Sequence, residues 1–145
     1  MGKENSYDGW NTSEHLNAFD KWHSYSNFYF NFLFGSYYEI KQLLKIIKNN
    51  RNSSVLEIGC ASGYLLRFLI NKITRFESKN YLGLDISKNT IEMAKKKYGH
   101  EFFQVIDNKN LKLKDNLLYD IVFSRDTVMH QIDPYKFLDK LISLS

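Results

Sequence analysis

A chain of 145 residues, 43% hydrophobic and 25% charged, has the size of one domain and enough apolar residues for a real core. The single cysteine, Cys60, rules out a disulfide framework within the chain, and no run approaches the ~18 apolar residues of a membrane span. The net charge of +4 reads as solvated lysine faces, Lys95, Lys96 and Lys97 among them, so no nucleic-acid partner is expected, while an anionic substrate stays open.

The start, MGKENSYDGW, has no apolar core of a secretory signal. With one free cysteine, this makes a reducing, cytoplasmic setting the expectation. Met1-Gly2 with Ser6 fits the N-myristoylation pattern, which is too short to be specific.

In chain order, residues 1–35 form an aromatic N-terminal extension, with Trp10, Phe19, Trp22, Phe28, Phe30 and Phe34 among its rings. Large rings anchor an extension to a body by packing, and a lid over a ligand pocket is the functional alternative. The body runs from 36 to 145. Residues 36–49 place Tyr37, Ile40, Leu43, Leu44 and Ile47 at helical spacing, with Ser36 as cap. Residues 54–59 (SVLEIG) are a short apolar run ending in glycine, a buried parallel strand. A helix over 63–75, a strand over 81–85 (YLGLD) and a helix from the cap Ser87 to Tyr98 follow. Next come a strand over 101–106, a polar stretch over 107–116 and a strand over 119–124 (YDIVFS). The last helix spans 133–144, with Asp133 as cap and Pro134 in the first turn.

Strands alternating with helices imply right-handed crossovers and a mostly parallel sheet. Ligands of such sheets lie beyond the carboxyl ends of the strands, where strand order reverses. Here that is 57–63, Asp85, Asp107 and 124–130. Three of the four strands end at or near an acid: Glu57, Asp85 and Asp107. One such acid is as readily a cap as a ligand contact; three at equivalent ends favour a ligand. The turn Gly59-Cys60-Ala61-Ser62-Gly63 permits close approach, but a glycine turn alone is weakly specific.

Charge narrows the ligand. A phosphate at this turn would meet Glu57, and the turn lacks the Lys-Ser/Thr end of a P-loop. A phosphate-free, cationic nucleoside fits better, and S-adenosylmethionine, with an ammonium and a sulfonium, is one. Asp85 then suits the ribose hydroxyls, since a carboxylate accepts two hydrogen bonds side by side, and Asp107 suits the adenine amine.

These residues reach a family. The run from Val55 to Gly63 (VLEIGCASG) resembles the first motif of class I S-adenosylmethionine-dependent methyltransferases, an acid followed by spaced glycines. Leu82-Gly83-Leu84-Asp85-Ile86-Ser87 looks like the second, residues 103–107 like the third, and 119–134 like the fourth. One departure is Ala61, where the family usually has its middle glycine. The resemblance covers residue 54 to the end. It implies a Rossmann-like three-layer αβα fold with strand order 3-2-1-4 in the part present. It also implies that Glu57, Gly59, Cys60, Ala61 and Gly63 flank the methionine part. Asp85 and Ile86 would hold ribose and adenine, Asp107 and Asn108 would meet adenine, and the Ser124 backbone would lie near the methionine ammonium.

The chemistry expected is methyl transfer to a small molecule or sugar, largely by alignment of a nucleophile with the activated methyl group. His130 is the first candidate base and Asp126 the next; the plain alternative for His130 is a helix-start residue bonded to backbone. No Cys/His cluster has zinc spacing, so no metal is expected. By resemblance the domain continues beyond a fourth helix, so the chain reads as the N-terminal part of the full fold. Its fourth strand would be an exposed edge unless a partner or second copy covers it. Two other readings stand beside this one: a non-catalytic S-adenosylmethionine-binding subunit that needs a partner, and a nicotinamide oxidoreductase. The missing G-x-G-x-x-G and the position of Glu57 argue against the latter.

Overall fold

The computed structural model describes residues 38–73, 76–107 and 117–145. The expectations for the aromatic segment 1–35, for Ser36 as a cap and for Asn108 fall outside them.

Helix α1 spans Tyr38–Asn49 and buries Ile40, Leu43 and Ile47, one stripe at three- and four-residue spacing. Strand β1, Val55–Ile58, is buried at all four positions, as a central strand covered on both faces must be. Helix α2 spans Tyr64–Lys72, shorter than the expected 63–75, because Ile73 turns to extended backbone at φ −116°. Strand β2 spans Tyr81–Asp85 and helix α3 spans Lys88–Tyr98. Ser87 caps α3, its hydroxyl accepting from the Thr90 N–H at 3.4 Å.

Strand β3, Phe103–Val105, begins two residues later than its pattern predicts, since residues His100–Phe102 make one 3-10 turn. Strand β4, Ile121–Ser124, is likewise shorter than 119–124. The Tyr119 N–H donates to the Leu144 carbonyl at 2.8 Å instead of entering the ladder. Helix α4 spans Pro134–Ile142 and starts as its sequence predicts, with Pro134 in the first turn and Asp133 Oδ1 accepting from the Lys136 N–H at 3.0 Å.

The four strands form one parallel sheet in the order β3-β2-β1-β4, the order that the resemblance implies. Order reverses between β1 and β4, which puts the crevice above the end of β1. Alternate residues of β1 feed two cores. Val55 joins Tyr81 and Phe103 beneath α1, α2 and α3, while Leu56 and Ile58 join Leu84, Phe137 and Leu144 beneath α4. Helices on both faces make the three layers αβα.

The crossover from β1 to α2 depends on Gly63. Its φ is +79°, and a Cβ there would stand 2.6 Å from Phe103 Cζ. Only glycine supplies both that backbone and that room, so the start of α2 sits against the Phe103 ring.

Candidate active site

The carboxyl ends of β1, β2 and β4 converge on the turn at 59–63. Its backbone is tied to its neighbour rather than left loose: the Gly59 and Cys60 N–H groups both donate to the Leu84 carbonyl, at 2.8 and 3.0 Å. The Ala61 N–H donates to Asp85 Oδ2 at 2.9 Å. Ala61 sits at φ +45°, a left-handed conformation where a Cβ is strained, and this is where the resemblance called for glycine. Gly59, at φ +83°, has a reason within the chain: a Cβ there would run into the Thr127 hydroxyl. Cys60 is buried, and burial pushes its thiol well above the usual range, which leaves it an inert packing group.

Asp85 receives backbone donors on both oxygens, the Ala61 N–H on Oδ2 and the Ser87 N–H at 2.8 Å on Oδ1. Burial raises its pKa, and the N–H groups of Ser87, Ala61 and Ile86 oppose the rise. A carboxylate offers about four acceptor sites, so these three backbone donors leave room for a ligand hydroxyl. Ile86 follows, half-buried, in the bend before α3.

Glu57 is 7% exposed. Burial is the main influence on its carboxyl and pushes it up to about 7. A hydrogen bond from Tyr81 and the Arg125 charge pull it down, and the Asp85 charge adds to the rise. Two carboxyls at neighbouring strand ends thus both resist ionisation, chiefly because they are withdrawn from water. Asp107 differs: it is exposed, two residues past β3, and joins the site only as its rim.

Beyond β4, Ser124 and Thr127 converge on one atom. Both hydroxyls donate to the Ile58 carbonyl, at 3.0 and 3.3 Å, and Thr127 lies 3.0 Å from the Arg125 carbonyl as well. This pins the loop after β4 to the turn after β1. Asp126, at φ +56°, pairs with Arg125 at 3.3 Å and is largely exposed. His130 ends the 3-10 turn Val128–His130, exposed, its N–H donating to the Thr127 carbonyl at 3.1 Å.

The structure therefore gathers Glu57, Gly59, Cys60, Ala61, Gly63, Asp85, Ile86 and Ser124 at one end of the sheet. Asp107, Asp126 and His130 stand at its border. Sequence reasoning passed over Tyr81, Arg125 and Thr127. A signal for Tyr81 was present: an aromatic residue two positions before Gly83, on the strand beside Glu57. Among the described residues no group of three or more His, Cys, Asp or Glu could hold a metal, and no helix is long and apolar enough to cross a membrane.

Comparison with known proteins bears on the same stretch. A family described as a methyltransferase domain matches residues 56–143. The chain belongs to that methyltransferase domain family. Malonyl-[acyl-carrier protein] O-methyltransferase of Priestia megaterium is 33% identical over 78 residues, 54% of this chain and 27% of that protein. Ribosomal RNA small subunit methyltransferase A of Mesomycoplasma hyopneumoniae is 29% identical over 102 residues, 68% of this chain and 34% of that protein. The chain thus spans about a third or less of these curated relatives. The magnesium protoporphyrin IX methyltransferase of Synechocystis PCC 6803, solved with bound SAH, superposes with a TM-score of 0.61 at 21% identity. That match covers 95% of this chain and 65% of the other, and the likeness is one of fold. By their names, these similar proteins serve unlike acceptors: a malonyl-[acyl-carrier protein], a ribosomal RNA and a magnesium protoporphyrin.

Proposed function

We propose that this methyltransferase domain binds S-adenosylmethionine across the ends of β1, β2 and β3 and transfers its methyl group to a small molecule or sugar. The observation that carries the reading is the pair of withdrawn carboxyls, Glu57 and Asp85, whose ionisation is resisted by burial. A cationic, phosphate-free ligand relieves that cost, whereas a phosphate would add to it. The residues fit the cofactor on these grounds.

When bound, the cofactor supplies a methyl group already activated on sulfur. Asp85 would accept from a ribose hydroxyl at the acceptor site its three backbone donors leave. Glu57 holds negative charge beneath the turn, on the methionine side. Gly59, Cys60, Ala61 and Gly63 would shape the wall, Ile86 would lie beside the adenine, and Asp107 would meet its edge. The Ser124 backbone borders the amino-acid part. The loop pinned by Thr127 carries Asp126 and His130; His130 takes the proton from an oxygen or nitrogen nucleophile, with Asp126 as the second candidate. Met129, Ile132 and Tyr135 expose apolar surface beside His130, which suits an organic acceptor.

The test is calorimetry. S-adenosylmethionine should bind and NAD should not, and Asp85→Ala should weaken the binding at least tenfold. Binding of NAD alone counts against the reading. Methyl transfer is then scored on small molecules, sugars, an acyl carrier protein and ribosomal RNA.

One observation favours a second reading, a subunit that binds the cofactor but needs a partner. Among the described residues β4 pairs on one side only, and Leu117, Leu118, Tyr135 and Ile142 nearby are exposed. A second copy, a partner or further chain would cover that edge. An active monomer eliminates this reading. The setting we propose is the cytoplasm, with no membrane contact.

A further inference from the structure

The carboxyl of Glu57 is held by a side chain outside the cofactor motifs. Gly83 of β2 stands in register with Glu57 of β1, and Tyr81 lies two residues earlier, on the same face of the sheet. The missing side chain at 83 leaves a gap that the Tyr81 ring crosses. A Cβ at Gly83 would stand 2.9 Å from the Tyr81 hydroxyl oxygen, and equally close to Cys60 Sγ and Phe103 Cδ1. The Tyr81 hydroxyl donates to Glu57 Oε2. Phe103 closes the other side edge-on, its ring centroid 5.9 Å from that of Tyr81. Tyr81 is 3% exposed, so the bond is made inside the core, under the 59–63 turn.

We propose that Tyr81 is a positioning residue of the cofactor site: its hydroxyl, reaching across Gly83, holds the Glu57 carboxyl poised to ionise, and cofactor binding drives that ionisation and expels one proton to solvent. This rests on the cofactor reading above. In balance, protonated Glu57 and a cationic ligand give the carboxylate, the bound cation and a released proton.

The surroundings support it. Glu57 keeps its proton to about pH 7 chiefly because it is buried. The donor from Tyr81 and the charge of Arg125, beyond β4, favour the carboxylate, and Asp85, at the end of β2, opposes it. Cys60 in the turn and Tyr98 of α3 are the other titratable groups around Tyr81. Burial lifts the Cys60 thiol and the Tyr81 phenol well above their ordinary values, so both stay neutral where Glu57 titrates. A cation brought to the turn lowers the pKa of Glu57, and the linked proton must leave.

The experiment is titration calorimetry of the full chain with S-adenosylmethionine, from pH 6 to 8.5, in buffers of different ionisation enthalpy. The unmutated chain should release about half a proton per cofactor near pH 7, and its affinity should rise with pH to a plateau. Tyr81→Phe keeps the ring and removes the donor; it should move the midpoint of that rise up by about one pH unit and leave the plateau nearly unchanged. Glu57→Gln should abolish the proton release and flatten the curve. These two readings, on the unmutated chain and on Glu57→Gln, decide the matter if Tyr81→Phe does not fold. An unmoved midpoint in a folded Tyr81→Phe variant, or binding without proton release by the unmutated chain, overturns the assignment and leaves the cofactor reading standing. No binding by the unmutated chain at any pH overturns both.

Discussion

Glu57 is expensive in the unliganded protein. Its carboxyl keeps a proton to about pH 7 when folded, against 4.5 for the ordinary group. Between those values the native state holds the extra proton, so stability is fullest below 4.5 and falls as pH rises through 7, by about 3 kcal/mol in all. Glu57→Gln should therefore raise the melting temperature of the unliganded chain at pH 8 and change it little at pH 4.5, while weakening the cofactor. A lower melting temperature at pH 8 would contradict this account. Ala61 carries a second local cost, a Cβ at φ +45°. Ala61→Gly removes it but frees the unfolded chain, for a net gain of about 0.5–1 kcal/mol, read by denaturant unfolding. The acid and the departure at position 61 were both legible in the sequence. What they cost was not, because burial and φ belong to the folded chain.

At the scale of elements, the joints between strands do most to place the site. Gly63 lets α2 lie against Phe103 of β3, so Gly63→Ala should destabilise by about 1–3 kcal/mol through both clash and backbone, seen as a lower denaturation midpoint at unchanged slope. A second joint ties the starts of β1 and β4. Asp120 Oδ2 accepts from the Ser54 N–H at 2.7 Å and from its hydroxyl at 2.8 Å, and the Asp120 N–H donates back to Ser54 Oγ at 3.0 Å. These donors hold the Asp120 carboxyl below its ordinary pKa. Its contribution is present at neutral pH and lost as pH falls through that lowered value, so Asp120→Asn should lower the melting temperature at pH 7 and have no effect at very low pH. Element type and order were readable from apolar runs and caps. The ends of β3 and β4 were not: the 3-10 turn before β3 and the Tyr119–Leu144 hydrogen bond before β4 are competitions for backbone groups, settled by packing.

For the molecule as a whole, the fold is a sheet clothed on both faces with its acids at one end and β4 paired on one side among the described residues. S-adenosylmethionine at a hundred times its dissociation constant should add about 2.7 kcal/mol to stability, measured as a rise in melting temperature that NAD does not produce. The half-covered β4 and the exposed Ile132, Tyr135 and Ile142 should make the chain associate with rising concentration in sedimentation velocity. A strictly monomeric chain at high concentration would argue that the apolar surface belongs to an acceptor site alone.

Local chemistry in the sequence determined the succession of strands and helices and the acids and glycines of a methyltransferase domain; the strand order 3-2-1-4 followed from the resemblance those motifs carry. Each of these is written in short stretches: a period, a cap, a turn, a motif. Only the tertiary structure decided that Tyr81 holds Glu57, that Thr127 fills the space above Gly59, and that Asp126 and His130 stand at the border of the site. Those contacts join residues 24 to 69 apart in the chain. No local pattern encodes them, because they exist only once the sheet has brought its strand ends together.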